Sequence, residues 1–236
     1  MASRNASFHE GVLAGVLFGP VKFVFALTLA FVAILLLAWT IDWVFVFHVW
    51  PEGVERLKVI LADDLSRGID LATRQGAAPG AITGTANCLY GVVFRVTGVH
   101  DMGLRFAEGA ALSIPDTIVR NTFIANREAI EVAMIGTRLL GVRLATMALV
   151  LPLLVLVYVV AGADGLTQRA IRRACGGRES ASLYHRAKHL QVVVATGGAV
   201  SLLLPASVDP RWIWMPGVVV LAVLARLQWS FYKKHL

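Results

Sequence analysis

The chain has 236 residues, of which 57% are hydrophobic and 16% charged, and its mean hydropathy is +0.70. Soluble domains carry charge on roughly 25% of their residues, so this composition excludes an ordinary soluble domain and indicates an integral membrane protein. The formal net charge is +7, but in a membrane protein Lys and Arg mainly record which side each loop faces. Two cysteines, Cys88 and Cys175, are too few for a disulfide scaffold or a cysteine-rich zinc cluster.

The first apolar run, "FVFALTLAFVAILLLAWTIDWVFVFHVW", predicts span one over 21–50. Residues 21–41 alone suffice to cross a hydrocarbon core of about 30 Å. Residues 1–20 are predicted to form a cytoplasmic or interfacial N-terminus, and Pro20 is expected to separate its helix from the span.

One acidic residue, Asp42, lies near the end of span one, between Trp39 and Trp43. Its position predicts an interfacial anchor at the outer membrane surface. Arg143 and Arg211 are the candidate partners for an interfacial ion pair with this carboxylate.

Residues 51–141 are too long for a loop and predict a small periplasmic helical domain. Its first helix has one apolar stripe at three- and four-residue steps, and the stretch "TANCLYGVVFRVTG" could be helix or strand. A later helix, from "SIPDTIVR" onward, runs toward span two without a breaker. Asp63, Asp64 and Asp70 are expected to be solvated on the polar face of the first helix. The stripe comprises Val54, Leu57, Leu61, Leu65, Ile69 and Ala72.

Three further spans are predicted after this domain, which gives an all-α membrane protein with four transmembrane helices. The segments are span two at 142–163, a basic cytoplasmic loop at 164–189, span three at 190–206, a short periplasmic turn at 207–211, span four at 212–229 and a cytoplasmic tail at 230–236.

Basic residues set the predicted orientation. The loop 164–189 has a net charge of +4, whereas the longer segment 51–141 has a net charge of −1. The positive-inside rule therefore places this loop and both termini in the cytoplasm.

Glycines predict close helix packing in two places. Gly11, Gly15 and Gly19 recur every four residues before span one, and Gly197 and Gly198 lie in span three. Small residues at such spacing allow membrane helices to approach closely.

The basic loop contains "CGGRESASLYHRAKHL", the most polar stretch of the chain. The glycines are expected to end one helix, and Ser180 or Ser182 to cap the next. Several interpretations remain open: a docking surface for a cytoplasmic partner, a topology and anionic-lipid signal, or a catalytic or metal site. His185 and His189 share a helical face, but a third metal ligand is lacking. The docking candidates are Arg178, Glu179, Tyr184, His185, Arg186 and Lys188.

The sequence contains no serine-hydrolase elbow, zinc-protease helix, phosphate-binding loop or dinucleotide fingerprint. We therefore expect a protein that is not an enzyme and that has no metal or other cofactor. A small channel or transporter, and a membrane-bound enzyme that uses the 179–189 cluster, are the alternatives from other functional classes.

The stretches "RRACGGRESASLYHRAKH" and "LFGPVKF" resemble the integrating conjugative element membrane protein family, part of a broader group of conjugation-operon membrane proteins. The resemblance implies a multi-pass component of the inner membrane of a Gram-negative bacterium. It also implies a role in conjugative DNA transfer, as a partner of the coupling ATPase that feeds a type IV secretion channel, in homo- or hetero-oligomers. Direct binding of DNA is not expected, because six basic residues would neutralise only a few phosphates.

Overall fold

The computed structural model describes residues 2–107, 114–176 and 181–232, and the side chains of residues 1–20 lie outside this description. Every regular element in the described ranges is helical, which confirms the all-α prediction. The helices are α1 (Ala2–Val44), α2 (Val54–Arg74), α3 (Gly80–Tyr90), α4 (Val99–Ala107), α5 (Ile114–Ala125), α6 (Arg127–Ala174), α7 (Ala181–Ser201) and α8 (Pro210–Ser230).

Two predicted boundaries differ from the structure. Helix α1 continues through Pro20, so the expected break at this residue is wrong; proline is tolerated inside membrane helices. Helix α7 ends at Ser201, and the linker to α8 is 202–209 rather than the predicted turn at 207–211. The end of α6 was predicted correctly, because Gly176 follows it with a positive φ of 69°.

A four-helix bundle, which we call the first bundle, contains the second half of α1, α2, α3 and the first third of α6. The stripe of α2 faces α6: Leu57 of the stripe and the adjacent Ile60 share one cluster with Val132 and Leu139. Further along, Ala72 packs with Ile82 and Ala86 of α3 and with Ala145 of α6. The ambiguous "TANCLYGVVFRVTG" is therefore helical, as α3 followed by a π-helical turn over Gly91–Arg95.

Helix α1 runs antiparallel to α6 in this bundle. The Trp43 Nε1–H donates to the carbonyl of Ala129 at 3.0 Å, and the Trp39 Nε1–H donates to Thr137 Oγ1 at 2.9 Å. Leu35 then packs against Leu140. These contacts fix which residues of the two helices lie at the same height.

A second bundle contains the rest of α6, α7 and α8. Near its first end, Arg143 of α6 and Trp214 of α8 line the same cavity. Near its other end, Gly162 of α6 lies against Trp229 of α8. Helices α6 and α8 are therefore parallel, and α7 runs back between their ends.

Three helices are long and apolar enough to cross a membrane: Val21–Val49, Arg127–Ala174 and Arg211–Ser230. Helix α7 is not among them, so the predicted count of four spans is not established by these criteria. The reason is that α7 begins with the polar stretch 182–189, which leaves only 190–201 as apolar helix. Twelve helical residues extend about 18 Å, less than a hydrocarbon core.

Candidate functional site

The predicted docking residues of the basic loop lie at the end of the second bundle, at the start of α7. Arg178 and Glu179 are outside the described residues. Tyr184 is half-buried, whereas His185, Arg186 and Lys188 are exposed. Ala187 between them is buried, so one face of α7 packs inward and its basic groups point outward.

Aromatic rings from the end of α8 form the base on which this face rests. The Tyr184 ring lies 5.9 Å from that of Tyr232 and 5.3 Å from the imidazole of His185, measured between centroids. The Arg172 guanidinium of α6 stacks 3.9 Å from the centroid of the Phe231 ring. Cation–π contacts of this kind hold a guanidinium in place while it keeps its charge. We call Arg172, Tyr184, Arg186, Lys188, Phe231 and Tyr232 the basic–aromatic end.

The sequence did not predict that α6 and α8 contribute to this surface. The Arg172 Nη1–H also donates to the Ser230 carbonyl at 3.1 Å, and Arg226 of α8 forms an ion pair with Asp164 of α6. The arginines of "TQRAIRRA" and the aromatic and basic residues of "WSFYKK" are a signal that could have suggested it. Three helix ends, rather than one loop, therefore form this surface.

A second polar site surrounds Arg143, where the two bundles meet. Its Nε–H donates to Asp64 Oδ2 at 2.8 Å, and the two side chains are only 10% and 9% exposed. Its terminal nitrogens donate to the carbonyl oxygens of Leu202, Leu204 and Ala206 at 2.9, 2.5 and 3.0 Å. A planar guanidinium suits this task because its five N–H groups form a fixed fork.

The polar face of α2 holds the same linker. Ser207 Oγ–H donates to Asp63 Oδ2 at 3.2 Å, and Arg211 Nη2 contacts Asp70 Oδ2 at 2.5 Å. The expectation that Asp63, Asp64 and Asp70 are merely solvated is therefore wrong. We call these contacts, together with those of Arg143, the linker clasp.

The electrostatics of the clasp differ between Asp64 and Asp70, two of its carboxylates on α2. Burial raises the pKa of Asp64, and the charge of Arg143 opposes this shift. Hydrogen bonds from Arg74 and Arg211 lower the pKa of the exposed Asp70. Asp64 Oδ1 is buried and has no hydrogen-bond partner among the described residues. It lies beside a cavity of about 70 Å³, lined also by Thr146, Ser201 and Trp214. A cavity of this size has room for water.

Residues 51–233 match the family model described as "IncC plasmid conjugative DNA transfer protein DtrJ-like". The chain belongs to the DtrJ-like family. This assignment confirms the predicted connection to conjugative DNA transfer, while the narrower resemblance to integrating conjugative element membrane proteins stays a prediction. The matched range includes both the linker clasp and the described part of the basic–aromatic end. No curated protein and no solved structure matches the chain.

The ion pair predicted for Asp42 differs in this DtrJ-like chain. Arg143 pairs with Asp64 and Arg211 with Asp70, because α2 places these carboxylates directly beside both arginines. Asp42 is 3% exposed and is buried on α1 against Gly136 of α6. A side chain on Gly136 would collide with its carboxylate.

The predicted packing glycines have different surroundings. Gly198 lies against the Trp214 ring, because a Cβ added to this glycine would be 3.0 Å from the nearest ring atom. A Cβ added to Gly197 would have no described atom of another helix within 4 Å. Gly11, Gly15 and Gly19 lie within α1, but their packing is outside the described part. Two other glycines of α6 lie close to the backbone of a neighbouring helix: Gly141 against Ala86, and Gly165 against Arg226.

Proposed function

We propose that this protein is a non-catalytic inner-membrane component of a conjugative type IV secretion apparatus, and that it binds the coupling ATPase through the basic–aromatic end. The family supports the role in DNA transfer. The observation that carries the docking proposal is that α7 presents the exposed Arg186 and Lys188 on the same turns as Tyr184, whose ring packs against that of Tyr232. Arg and Tyr are enriched at protein interfaces, and a rigid base lowers the entropic cost of binding.

A topology with four spans supports this placement. Helices α6 and α8 are parallel and both qualify as membrane spans, so a chain that crosses the bilayer in both must cross back between them. Helix α7 lies between them in the chain and has the same length as α8. It packs along α8, which compensates for its less apolar start. With α1 antiparallel to α6, both termini would be cytoplasmic, in agreement with the positive-inside rule.

The chemistry of the basic–aromatic end indicates what kind of surface the coupling ATPase would present to it. Arg186 and Lys188 offer positive charge, and Tyr184 and Tyr232 offer amphipathic rings that can contact both apolar and polar groups. An acidic patch with an apolar centre on the coupling ATPase would complement it.

The test is co-purification of the coupling ATPase from cells that carry the complete transfer operon. We expect the double variant Arg186→Ala and Lys188→Ala to lower ATPase recovery about tenfold or more, because losing about 1.4 kcal/mol of binding free energy suffices for this. Its matched control is the double variant Arg56→Ala and Arg95→Ala, which removes two exposed charges from the first bundle. Equal recovery with both double variants would contradict the docking proposal.

A further inference from the structure

The charged residues of the first bundle indicate where the hydrocarbon core of the bilayer begins along α6. Lys58 of α2 pairs with Glu131 of α6 at 2.9 Å, and Arg143 pairs with Asp64 further along the same two helices. A hydrocarbon core around these groups would be very costly. The stretch of α6 from Glu131 to about Thr146 therefore lies outside the bilayer, and the membrane part of α6 begins after it.

The contacts between α1 and α6 show where the same bilayer surface crosses the first span. Trp43 lies beside Ala129, Trp39 beside Thr137 and Leu35 in the cluster of Leu140, so α1 from Leu35 onward is at the height of the charged helices. The bilayer part of α1 must then end near residue 30, and it begins upstream of the predicted Val21. The second half of the apolar run is thus outside the hydrocarbon core.

One side of this second half is left uncovered by the residues that the structure describes. Leu35 and Ala38 are 6% and 5% exposed and face α6, whereas Leu37 and Val44, on the opposite side, are 50% and 47% exposed. Exposed apolar surface of this extent outside a membrane marks an interaction site. We call this side the outer face of α1, which consists of Ala33, Leu36, Leu37, Thr40, Val44 and Phe47.

We propose that the outer face of α1 packs against the same face of a second copy of this chain, around a two-fold axis normal to the membrane. Two copies inserted in the same orientation bring their outer faces to the same height without further adjustment. The electrostatics also favour this occupant, because no exposed ionisable side chain lies between Phe23 and Phe47, so no like charges would face each other. The basic–aromatic end, in contrast, would repel its own copy.

The first test is cysteine crosslinking in native membranes, after the exposed Cys88 and Cys175 are replaced by serine. Leu37→Cys and Val44→Cys should each give a disulfide-linked species of twice the monomer mass on mild oxidation. Ala38→Cys, which faces α6, and Val59→Cys, which is 54% exposed on α2 at a similar height, should remain monomeric. Crosslinks from 37 and 44 to a different protein only, or the absence of any crosslink, would overturn the proposal.

The second test distinguishes whether the outer face of α1 is a protein interface or is embedded in lipid. Val44→Glu should still insert in the membrane but should lose co-purification with a differently tagged wild-type copy. Its matched control is Val24→Glu, at an equally apolar exposed position that the register places inside the bilayer, and it should fail to accumulate in membranes. Failure of Val44→Glu to insert would show that this half of α1 is embedded in lipid, against the proposal.

Discussion

Replacing Arg143 by methionine tests whether the linker clasp holds the two bundles together. Methionine fills a similar volume but removes all four hydrogen bonds, one to Asp64 and three to linker carbonyls. Breaking a buried ion pair by deleting one partner costs about 3–5 kcal/mol, because the other group stays buried without compensation. Since total stability is commonly about 5–15 kcal/mol, we expect a large loss of folding free energy.

The companion variants separate the contributions of charge and of geometry. Arg143→Lys keeps the charge but cannot reach Asp64 and three carbonyls at once, so we expect an intermediate loss of about 1–3 kcal/mol. Asp64→Asn leaves the guanidinium with its carbonyl partners and should also be intermediate. In the double variant Arg143→Met and Asp64→Asn, the cost of the second change should nearly vanish, because its partner is already absent.

The free energy of unfolding is measured by detergent titration in micelles, with the fluorescence of the tryptophans as the signal. Trp214 is a suitable reporter because it lines the same cavity as Arg143. A loss below about 1 kcal/mol for Arg143→Met, the cost of an ordinary hydrogen bond, would refute the clasp as a major link. An undiminished cost of Asp64→Asn in the Arg143→Met background would refute the direct coupling of the two side chains.

Two further predictions concern the second bundle. Gly165→Ala should destabilise the protein by about 1–3 kcal/mol in the same titration, because its Cβ would lie 2.6 Å from the Arg226 carbonyl oxygen; Gly217→Ala, with nothing within 4 Å, is the control and should have little effect. If α7 crosses the membrane, Ser207→Cys in a Cys88→Ser background should react with an impermeant maleimide from outside intact cells, and native Cys175 only after permeabilisation. Equal labelling of both positions from the same side would exclude the proposed fourth span.

Local helical structure could be predicted from this sequence because it depends on periodicity. The stripe of α2 repeats at three and four residues, and the structure buries Leu57 and Ala72 on that side. The end of α6 at a glycine with positive φ follows equally from local backbone preferences. Both features depend on neighbours within a few residues.

The linker clasp could not be predicted in the same way, because its members are far apart in the chain. Arg143 and Asp64 are separated by 79 positions, and several carboxylates were possible partners. The sequence nevertheless contains a signal: Asp64 lies seven residues after Leu57 and four before Gly68, on the buried stripe rather than on the polar face. A carboxylate on an apolar stripe needs a buried cation, and Arg143 is the buried arginine on α6.

The proposed extent of the first span rests on information that a hydropathy profile does not contain. A hydropathy profile records that 21–49 is apolar, but lipid and protein both cover apolar side chains. Only the register of α1 against the charged α2 and α6 distinguishes these two environments. Leu35 and Ala38 pack on α6, whereas Leu37 and Val44 are exposed in the described part of the chain, so in this proposal one helix contributes to a membrane span, a bundle core and an interface.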